Sequence, residues 1–449
     1  DLLITVDNGV SSIEGVTAAR ACGMCVLITD HHLPGDQLPA ADAIVNPNLR
    51  GDAFPSKYLA GVGVIFYVML ALRKRLREAG WFAARDLAEP NMASYLDLVA
   101  LGTVADVVLL DQNNRILVEQ GLRRIRAGRC APGIRWLLHV AGRSSERAVA
   151  SDLSFAVGPR LNAAGRLQDM RLGIECLLSD DAMYTLELAR QLDQLNRQRR
   201  EIEGQMHAQA LLALQGIDAD IDQEGLPYGV CLFDARWHQG VIGILASRIK
   251  ERFHRPTIAF ADDGGGMLKG SARSIPGVHI RDVLHTVATQ HPNLIARFGG
   301  HAMAAGLSLR AVNLDVFRTT FDRAVRAVVT PEMLDGVIYT DGELNETDFT
   351  LDTARLLRGA GPWGQGFPEP VFDGVFEIVN HRVIGNHLKL KVKPKGSTCL
   401  LEAMVFNAET FDWHEGVNAV YMLYRFEEND YQGLIRPQLT VTHLQALPA

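Results

Sequence analysis

The chain has 449 residues, of which 47% are hydrophobic and 22% are charged, and its formal net charge is −7 at pH 7. This length excludes a single ordinary domain and predicts roughly two to four. The composition is that of a soluble globular protein, and the lack of an apolar run of about 18 residues excludes a membrane-spanning one. The acidic balance excludes a uniformly basic surface but permits a local basic groove.

The cysteines and the first residue bear on cellular context. Six cysteines are scattered over the chain, which predicts free thiols in a reducing compartment and therefore a cytoplasmic protein. We interpret the lone Cys22-Gly-Met-Cys25 pair as core thiols, with a redox or zinc role as the alternative. The chain begins at Asp1 inside an apolar run without a signal peptide, so we expect a fragment of a longer protein.

The first 181 residues predict a parallel α/β domain with a helical lobe. Over residues 1–50, short apolar runs flank a helical stretch near 11–22, the pattern of a βαβ unit. Further helices are predicted over 59–79, 92–110, 113–127 and 133–140.

Three more segments follow along the chain. Residues 182–215 are polar and free of proline, which predicts a long connector helix. Residues 216–332 alternate strand and helix patterns and predict a second α/β domain. Residues 333–449, with short alternating runs from 336 to 445, predict an all-β module in the form of a small barrel similar to the oligonucleotide-binding (OB) fold.

Polar side chains follow the first two predicted strands at the point where each ends. Asp7 follows the run LLITV, and Asp30, His31 and His32 follow VLIT. Parallel strands of a βαβ unit place these ends at one edge of the sheet, where open α/β sheets bind ligands. Oxygen and imidazole ligands suit Mn²⁺ or Mg²⁺. The alternative is that the two aspartates cap helices and that the histidines are surface residues.

One further acid ends an apolar helical stretch. Asp106 lies in LGTVADVVLL, and a buried aspartate needs a partner. A metal ion at the sheet edge would provide one; the alternative is that Asp106 caps the next turn.

Several motifs together resemble a known family. TVDNG, TDHH and LGTVADVV, in that order, resemble motifs of the DHH phosphoesterase superfamily. Five more motifs resemble, within it, the RecJ family of single-strand-specific 5′-to-3′ DNA exonucleases of bacteria: GPRLNAAGR (158–166), HQGVIGILASRI (238–249), KGSARS (269–274), FGGHAMAAGL (298–307) and GPWGQGFPEPVF (361–372). The resemblance covers essentially the whole chain.

The resemblance implies a role for each residue of the cluster. Asp7, His31 and Asp106 are expected to be ligands of Mn²⁺ or Mg²⁺, with Asp7 bridging two ions in the intact parent; the ligands present here cannot complete two sites. His32 is expected near the ions and the scissile phosphate, and Asp30 is expected to orient the histidines. Such ions could stabilise the attacking and leaving oxygens of phosphodiester hydrolysis. The family's first, Asp-rich motif is absent from this chain, so we expect full activity in the longer parent.

The resemblance also implies DNA contacts outside this cluster, in both predicted α/β domains. Arg166, taken to lie on a glycine-containing loop, and Ser271 and Arg273, two apart on a strand and therefore on one face, are expected to bind the 5′-phosphate. Three further candidate contacts are Arg160, Asn162 and His301. The glycines around His301 permit close approach of a backbone or phosphate; the alternative is a tight strand-to-helix turn. The DNA is expected in a cleft between the two α/β domains.

The third segment offers a basic strand. HLKLKVKPK places Lys389, Lys391, Lys393 and Lys395 on one face and apolar residues on the other. Such a stripe could follow a phosphate backbone, with aromatic side chains stacking on bases; the alternative is an edge strand whose lysines prevent aggregation. The candidate aromatic residues are Trp363, Phe367, Trp413, Tyr421 and Tyr424.

The sequence thus predicts a metal-dependent exonuclease that degrades single-stranded DNA from the 5′ end in repair and recombination. We expect a monomer, with a single-strand-binding protein and a helicase as partners. Two alternatives stay open: a DHH-type phosphodiesterase of short oligonucleotides or cyclic dinucleotides, and a catalytically inactive DNA-binding scaffold.

Overall fold

The protein is represented by a computed structural model that describes residues 1–218, 227–406, 408, 416–431 and 433–447. The chain divides into two compact units. The first unit comprises Asp1–Pro159, Ile174–Arg190 and Tyr339–Ala449, and the second comprises Arg160–Gly173 and Gln191–Ile338. Within the described residues, no helix combines the length and the hydrophobicity needed to cross a membrane.

The first unit contains the predicted parallel sheet. Its strands lie in the order β1 (Leu2–Val6), β2 (Cys25–Thr29) and β3 (Ala43–Val45), and α1 (Ile13–Ala21) connects the first two. Val6 pairs with Thr29, so both strands end at one edge of the sheet. The predicted βαβ unit is confirmed, because β1 and β2 are parallel neighbours joined by α1. The polar residues that follow each strand therefore lie at the same edge.

The helices that follow match the predicted stretches to within a few residues. Helix α3 is almost entirely apolar, and its central Ala100 is fully buried, which suits a helix packed on several sides. Through the connector, the helices are α2 (Gly61–Glu78), α3 (Leu96–Ala105), α4 (Gln112–Arg126), α5 (Pro132–Val140), α6 (Ala150–Asp152), α7 (Gly158–Leu167), α8 (Arg171–Leu178) and α9 (Ala182–Asp218).

The second unit is built on a five-stranded mixed sheet. The strands lie in the order β4-β5-β6-β8-β7, with only β4 and β5 parallel. Phe260, Phe317 and Phe321 fill the core between the sheet and its helices. The elements are β4 (Val230–Phe233), α10 (Ile242–Phe253), β5 (Thr257–Gly264), β6 (Met267–Arg273), α11 (Ile280–Gln290), β7 (Arg297–Gly300), β8 (Ala304–Arg310), α12 (Leu314–Arg326) and α13 (Pro331–Leu334).

The C-terminal part of the chain forms the predicted barrel. It is closed in the order β10-β11-β13-β12-β9. The strands are β9 (Phe372–Ile384), β10 (His387–Pro394), β11 (Leu401–Val405), β12 (Ala419–Tyr431) and β13 (Leu434–Ala446). The expectation of an all-β segment from residue 336 is wrong, because α14 (Leu351–Gly359) precedes the strands. The Thr350 side chain caps this helix by accepting a hydrogen bond from the Thr353 amide.

A network of charges fixes the barrel to the α/β part of the first unit. Glu428 on β12 lies 2.9 Å from Arg147 and 3.4 Å from Arg358, and its side chain is only 8% exposed. Arg147 also pairs with Asp430 at 2.6 Å. A buried carboxylate is tolerated here because the guanidinium groups compensate its lost hydration.

All six cysteines are free thiols, as predicted. The interpretation of Cys22 and Cys25 as core residues is wrong, because both are exposed. Cys22 caps the end of α1 and Cys25 is the exposed first residue of β2, so the pair flanks a turn at the surface.

Candidate metal centre and phosphate site

Asp7 occupies a strained position directly after β1. Its backbone has a φ of 64°, a left-handed conformation that is uncommon outside glycine, and its amide donates to the Thr29 carbonyl at 3.0 Å. Gly61, at the start of α2, lies so close that a Cβ atom there would overlap the Asp7 side chain. Strained backbone of this kind is concentrated at functional sites. Sequence reasoning missed Gly61, whose role depends on this tertiary contact.

His31 brings the two predicted acidic ligands together. Its Nε2 atom lies 2.9 Å from an Asp7 oxygen and 3.4 Å from an Asp106 oxygen. The contact to Asp7 is short, but Nε2 has no hydrogen-bond partner among the described residues. Donor atoms thus converge on one point from β1, from the end of β2 and from the end of α3.

The charges around His31 favour its protonated form. Burial lowers the pKa of His31, whereas the close contact with Asp7 and the negative charges of Asp106, Asp7 and Asp30 raise it. Together the raising effects are larger than the effect of burial, so the pKa of His31 lies above its ordinary value. A proton and a metal ion therefore compete for the same nitrogen.

Asp30 is a buried hydrogen-bond acceptor for both histidines. It is 1% exposed, and its Oδ1 accepts from the amides of His31 and His32 and lies 2.7 Å from His32 Nδ1, while its Oδ2 accepts from the Val10 amide. Burial raises the pKa of Asp30, whereas these hydrogen bonds lower it. Together the hydrogen bonds have the larger effect, so the pKa of Asp30 lies below its ordinary value. Asp30 does not cap α1, which begins after Ser12.

Two asparagines that sequence reasoning missed hold the histidine backbone from the other side. Asn46 donates to the His32 carbonyl at 2.8 Å, and Asn48 donates to the His31 carbonyl at 2.6 Å. Both follow β3, in the run AIVNPN. Polar residues after a third strand were the available signal, since this strand ends at the same edge as the first two.

Replacing Asp30 with asparagine should lower the free energy of unfolding by about 1–3 kcal/mol and weaken Mn²⁺ binding roughly 10- to 100-fold. Four nitrogen atoms, three backbone amides and His32 Nδ1, now face the carboxylate oxygens. The NH₂ group of asparagine would face at least one of these donors and could not accept its hydrogen bond. Denaturant unfolding and a Mn²⁺ titration measure the two effects.

Asp42→Asn is the matched control for this prediction. Asp42 also accepts a backbone hydrogen bond, from Val26 at 2.7 Å, but its side chain is 45% exposed and water can replace the lost acceptor. Equal effects of the two substitutions would contradict the orienting role of Asp30.

The donor set fits a divalent cation. One ligand atom each from Asp7, His31 and His32 lie within 4.8 Å of one another, and Asp106 approaches the same imidazole nitrogen. Carboxylate oxygens with imidazole nitrogens, without thiolates, suit Mn²⁺ and, with more carboxylates, Mg²⁺. The buried Nε2 atom without a hydrogen bond is the kind of donor that a metal ion would satisfy.

The second unit forms a compact cationic site. The side chains of Ser271 and Arg273 share one face of β6, as predicted, with Arg273 Nη1 donating to Ser271 Oγ at 3.1 Å. Both lie against Gly243 in the first turn of α10, where a Cβ atom would be 2.8 Å from the guanidinium. Arg166 donates to the Gly240 carbonyl at 3.0 Å, just before α10. Arg166 lies on helix α7, so its placement on a loop is wrong; buried Ala163 and Ala164 anchor that helix.

Electrostatics also make this site suited to an anion. Burial and the positive charge of Arg166 lower the pKa of Arg273, so two guanidinium groups oppose each other. A phosphate would relieve this repulsion, and the start of α10 adds its partial positive charge. A cavity of about 580 Å³ next to the site includes Arg166, His238 and Lys269 in its lining.

The other predicted contacts of the second unit differ in their surroundings. Arg160 is buried and pairs with Asp193 of α9 at 2.8 Å, which ties α7 to the connector. Asn162 is exposed, four residues before Arg166 on the same helix. His301 follows Gly300 in a tight turn between β7 and β8. The prediction of a strand-to-helix turn is therefore wrong, because the turn joins two strands. Substrate contacts by these three residues stay predictions.

The basic strand of the barrel is β10. Its apolar residues Leu388, Leu390 and Val392 are buried, so the lysines share the outer face. The edge-strand interpretation is wrong, because β10 pairs with both β9 and β11. Glu402 lies 2.9 Å from Lys389 and Glu377 lies 2.8 Å from Lys393. Lys391 is exposed and makes no ion pair with the described part of the chain.

The predicted stacking aromatics are only partly accessible. Tyr424 is 1% exposed in the barrel core, which removes it as a stacking candidate. Tyr421 donates to Asp373, and Trp363 and Phe367 stack on each other. Trp413 lies outside the described residues.

Three family domains match this chain. They are the DHH family N-terminal domain over residues 1–103, the DHHA1 domain over 225–327 and the RecJ OB domain over 340–443. Our own domain boundaries of 181, 215 and 332 stay predictions.

Similar proteins agree with these matches. The single-stranded-DNA-specific exonuclease RecJ of Dickeya dadantii is 55% identical over all of this chain, which covers 78% of that protein. The structure of RecJ from Thermus thermophilus in complex with Mn²⁺ has a TM-score of 0.79 and 29% identity over all of this chain and 62% of that one. The corresponding Mg²⁺ complex has a TM-score of 0.72 and 26% identity over all of this chain and 68% of that one. The chain therefore belongs to the RecJ family of single-stranded-DNA-specific exonucleases.

Proposed function

We propose that the chain hydrolyses single-stranded DNA from its 5′ end with the help of Mn²⁺ or Mg²⁺. The observation that carries this proposal is the convergence of Asp7 and Asp106 on His31 Nε2, at 2.9 and 3.4 Å. RecJ proteins of the same family have been crystallised with both ions.

The cluster divides the work among its residues. Asp7, His31 and Asp106 would hold the metal, with His32 beside it. The bound ions would supply Lewis-acid stabilisation of the charge that develops on the phosphate oxygens. Asp30 keeps the His31 and His32 backbone and the His32 ring in place. The strained backbone at Asp7 holds its carboxylate in position before the substrate arrives.

Arg166, Ser271 and Arg273 would bind the 5′-phosphate. A terminal phosphate carries more negative charge than an internal one, and two guanidinium groups beside a hydroxyl and a helix start favour that extra charge. This preference would direct the chain to begin at a 5′ end.

The polarity is tested with a long single strand labelled at either end, incubated with the chain and Mn²⁺. A 5′ label should be released at once in a small product, whereas a 3′ label should stay on fragments that shorten progressively. Cleavage restricted to dinucleotides would favour the oligonucleotide or cyclic-dinucleotide phosphodiesterase. Binding without cleavage under either ion, by the longer parent as well as by this chain, would favour the inactive scaffold.

The barrel should contribute a salt-dependent part of the affinity for DNA. Each phosphate contact to a single strand steepens the dependence of log K on log salt by about 0.7. Lys391→Ala should therefore reduce the slope by about this amount. Lys389→Ala, on the same strand, should reduce it less because Glu402 already pairs with Lys389. Equal slopes for both variants and the unaltered chain, measured by titration of a fluorescent oligonucleotide, would contradict this assignment.

We further propose that the chain acts in the bacterial cytoplasm in DNA repair and recombination, as a monomer working with a single-strand-binding protein and a helicase. The six free thiols support a reducing compartment.

A further inference from the structure

We infer that residues 361–372, GPWGQGFPEPVF, form a clasp that positions Asp106 by holding the loop Val107–Leu110. This inference rests on the proposed metal-binding role of Asp106. The clasp lies between α14 and β9, and both it and the loop belong to the first unit.

The loop is one that needs an external support. Asp106 is the capping residue directly after α3, and the next residue, Val107, has a φ of 60° and is 63% exposed. A β-branched residue strongly disfavours this left-handed conformation. Val107 has little burial to offset the strain. The direction in which Asp106 leaves the helix therefore depends on what holds the residues after it.

The clasp makes close contacts with the far end of this loop. The Leu110 amide donates to the Gln365 carbonyl at 2.7 Å. A Cβ atom on Gly364 would lie 2.7 Å from Leu110 Cδ1, and one on Gly366 would overlap Leu109 Cδ2. The two glycines thus allow the clasp backbone to lie directly on the two leucines.

Aromatic packing secures the clasp on α4, the helix that follows the loop. The Arg115 guanidinium lies 3.7 Å from the centre of the Phe367 ring. Trp363 stacks on Phe367 at 5.0 Å between ring centres, and its Nε1 donates to the Leu357 carbonyl at 3.0 Å. Asn114 of α4 also donates to the Leu109 carbonyl at 2.8 Å. The loop is therefore held by both the clasp and α4.

Attachment of the barrel does not account for these contacts by itself. The barrel has separate ion pairs to the α/β part through Glu428, Arg147 and Arg358. The clasp differs from that network because it contacts Leu109 and Leu110, at the end of the loop that begins directly after Asp106. A positioning role predicts that damage to the clasp changes metal binding, whereas a purely attaching role predicts that it does not.

The test compares Gly366→Ala with Gly385→Ala in the full chain. Both glycines have a positive φ, 73° and 60° respectively, but a Cβ atom on Gly366 meets Leu109 and one on Gly385 meets nothing within 4 Å. Phe367→Leu is a second, milder variant that removes the ring facing Arg115. Mn²⁺ affinity is measured from the loss of the free-ion electron paramagnetic resonance signal, and amide exchange of residues 107–110 by mass spectrometry.

Gly366→Ala and Phe367→Leu should each weaken Mn²⁺ binding by about tenfold or more and speed exchange at residues 107–110, and Gly385→Ala should change neither. Unchanged Mn²⁺ affinity in the two clasp variants would overturn the inference, as would an equal loss in Gly385→Ala. Asp106→Asn separates this from the proposed function: if that variant also binds Mn²⁺ normally, the metal role of Asp106 itself is wrong.

Discussion

Asp7→Asn should slow Mn²⁺-dependent cleavage of single-stranded DNA by about 10³-fold, equivalent to ~4 kcal/mol of transition-state stabilisation. Asparagine keeps the size of the side chain and tolerates the left-handed backbone at this position. It removes the negative charge that lies 2.9 Å from His31 Nε2. The loss should therefore come from metal binding and not from misfolding, and unfolding curves should stay close to those of the unaltered chain.

Asp86→Asn is the control for this prediction. Asp86 also has a left-handed backbone, with a φ of 53°, but it is exposed, ends a short 3₁₀ helix and is not one of the clustered metal-binding candidates. Its substitution should leave the initial rate unchanged. Cleavage by Asp7→Asn within a factor of about three of the unaltered rate would contradict the metal model, since that is under 1 kcal/mol.

Arg273→Ala should slow cleavage of a 5′-phosphorylated strand by about 10²-fold, or ~3 kcal/mol, and cleavage of a 5′-hydroxyl strand far less. The reason is that the guanidinium, held beside Ser271 Oγ at 3.1 Å, can donate charge-assisted hydrogen bonds to the 5′ end of the strand only when the terminal phosphate is present. The ratio of initial rates on the two strands measures this preference directly.

Arg281→Ala, at an exposed position on α11 of the same unit, controls for the general loss of one positive charge. It should slow cleavage of both strands equally, if at all. An equal loss on both strands in Arg273→Ala would show that Arg273 does not recognise the 5′-phosphate.

Part of the candidate centre could be predicted because it depends on local pattern and a general rule of topology. Apolar runs separated by a helix specify two parallel strands, and parallel neighbours end at the same edge. Asp7 and His31 are therefore expected together although they are far apart in the sequence, and they lie within 2.9 Å.

Other features escaped prediction because local sequence is ambiguous there. The glycine in NAAGR favours a loop, but the stretch is helical because Ala163 and Ala164 are buried. Short alternating runs favoured strands throughout the barrel segment, but α14 forms there. Ala354 of this helix and the nearby Phe349 are buried in the barrel core, and this packing stabilises the helix. Packing against distant residues decided both cases.

The sequence by itself determined which donor groups the protein carries, the βαβ unit that brings Asp7 and His31 to one sheet edge, and its three kinds of domain. Tertiary structure alone decided which of those groups are already engaged: Asp193 pairs with Arg160, and Glu402 pairs with Lys389. It also decided that Gly61 must lie against Asp7. The physical reason is that local patterns specify elements through short-range backbone preferences, whereas pairing between segments far apart in the chain exists only after those elements have packed.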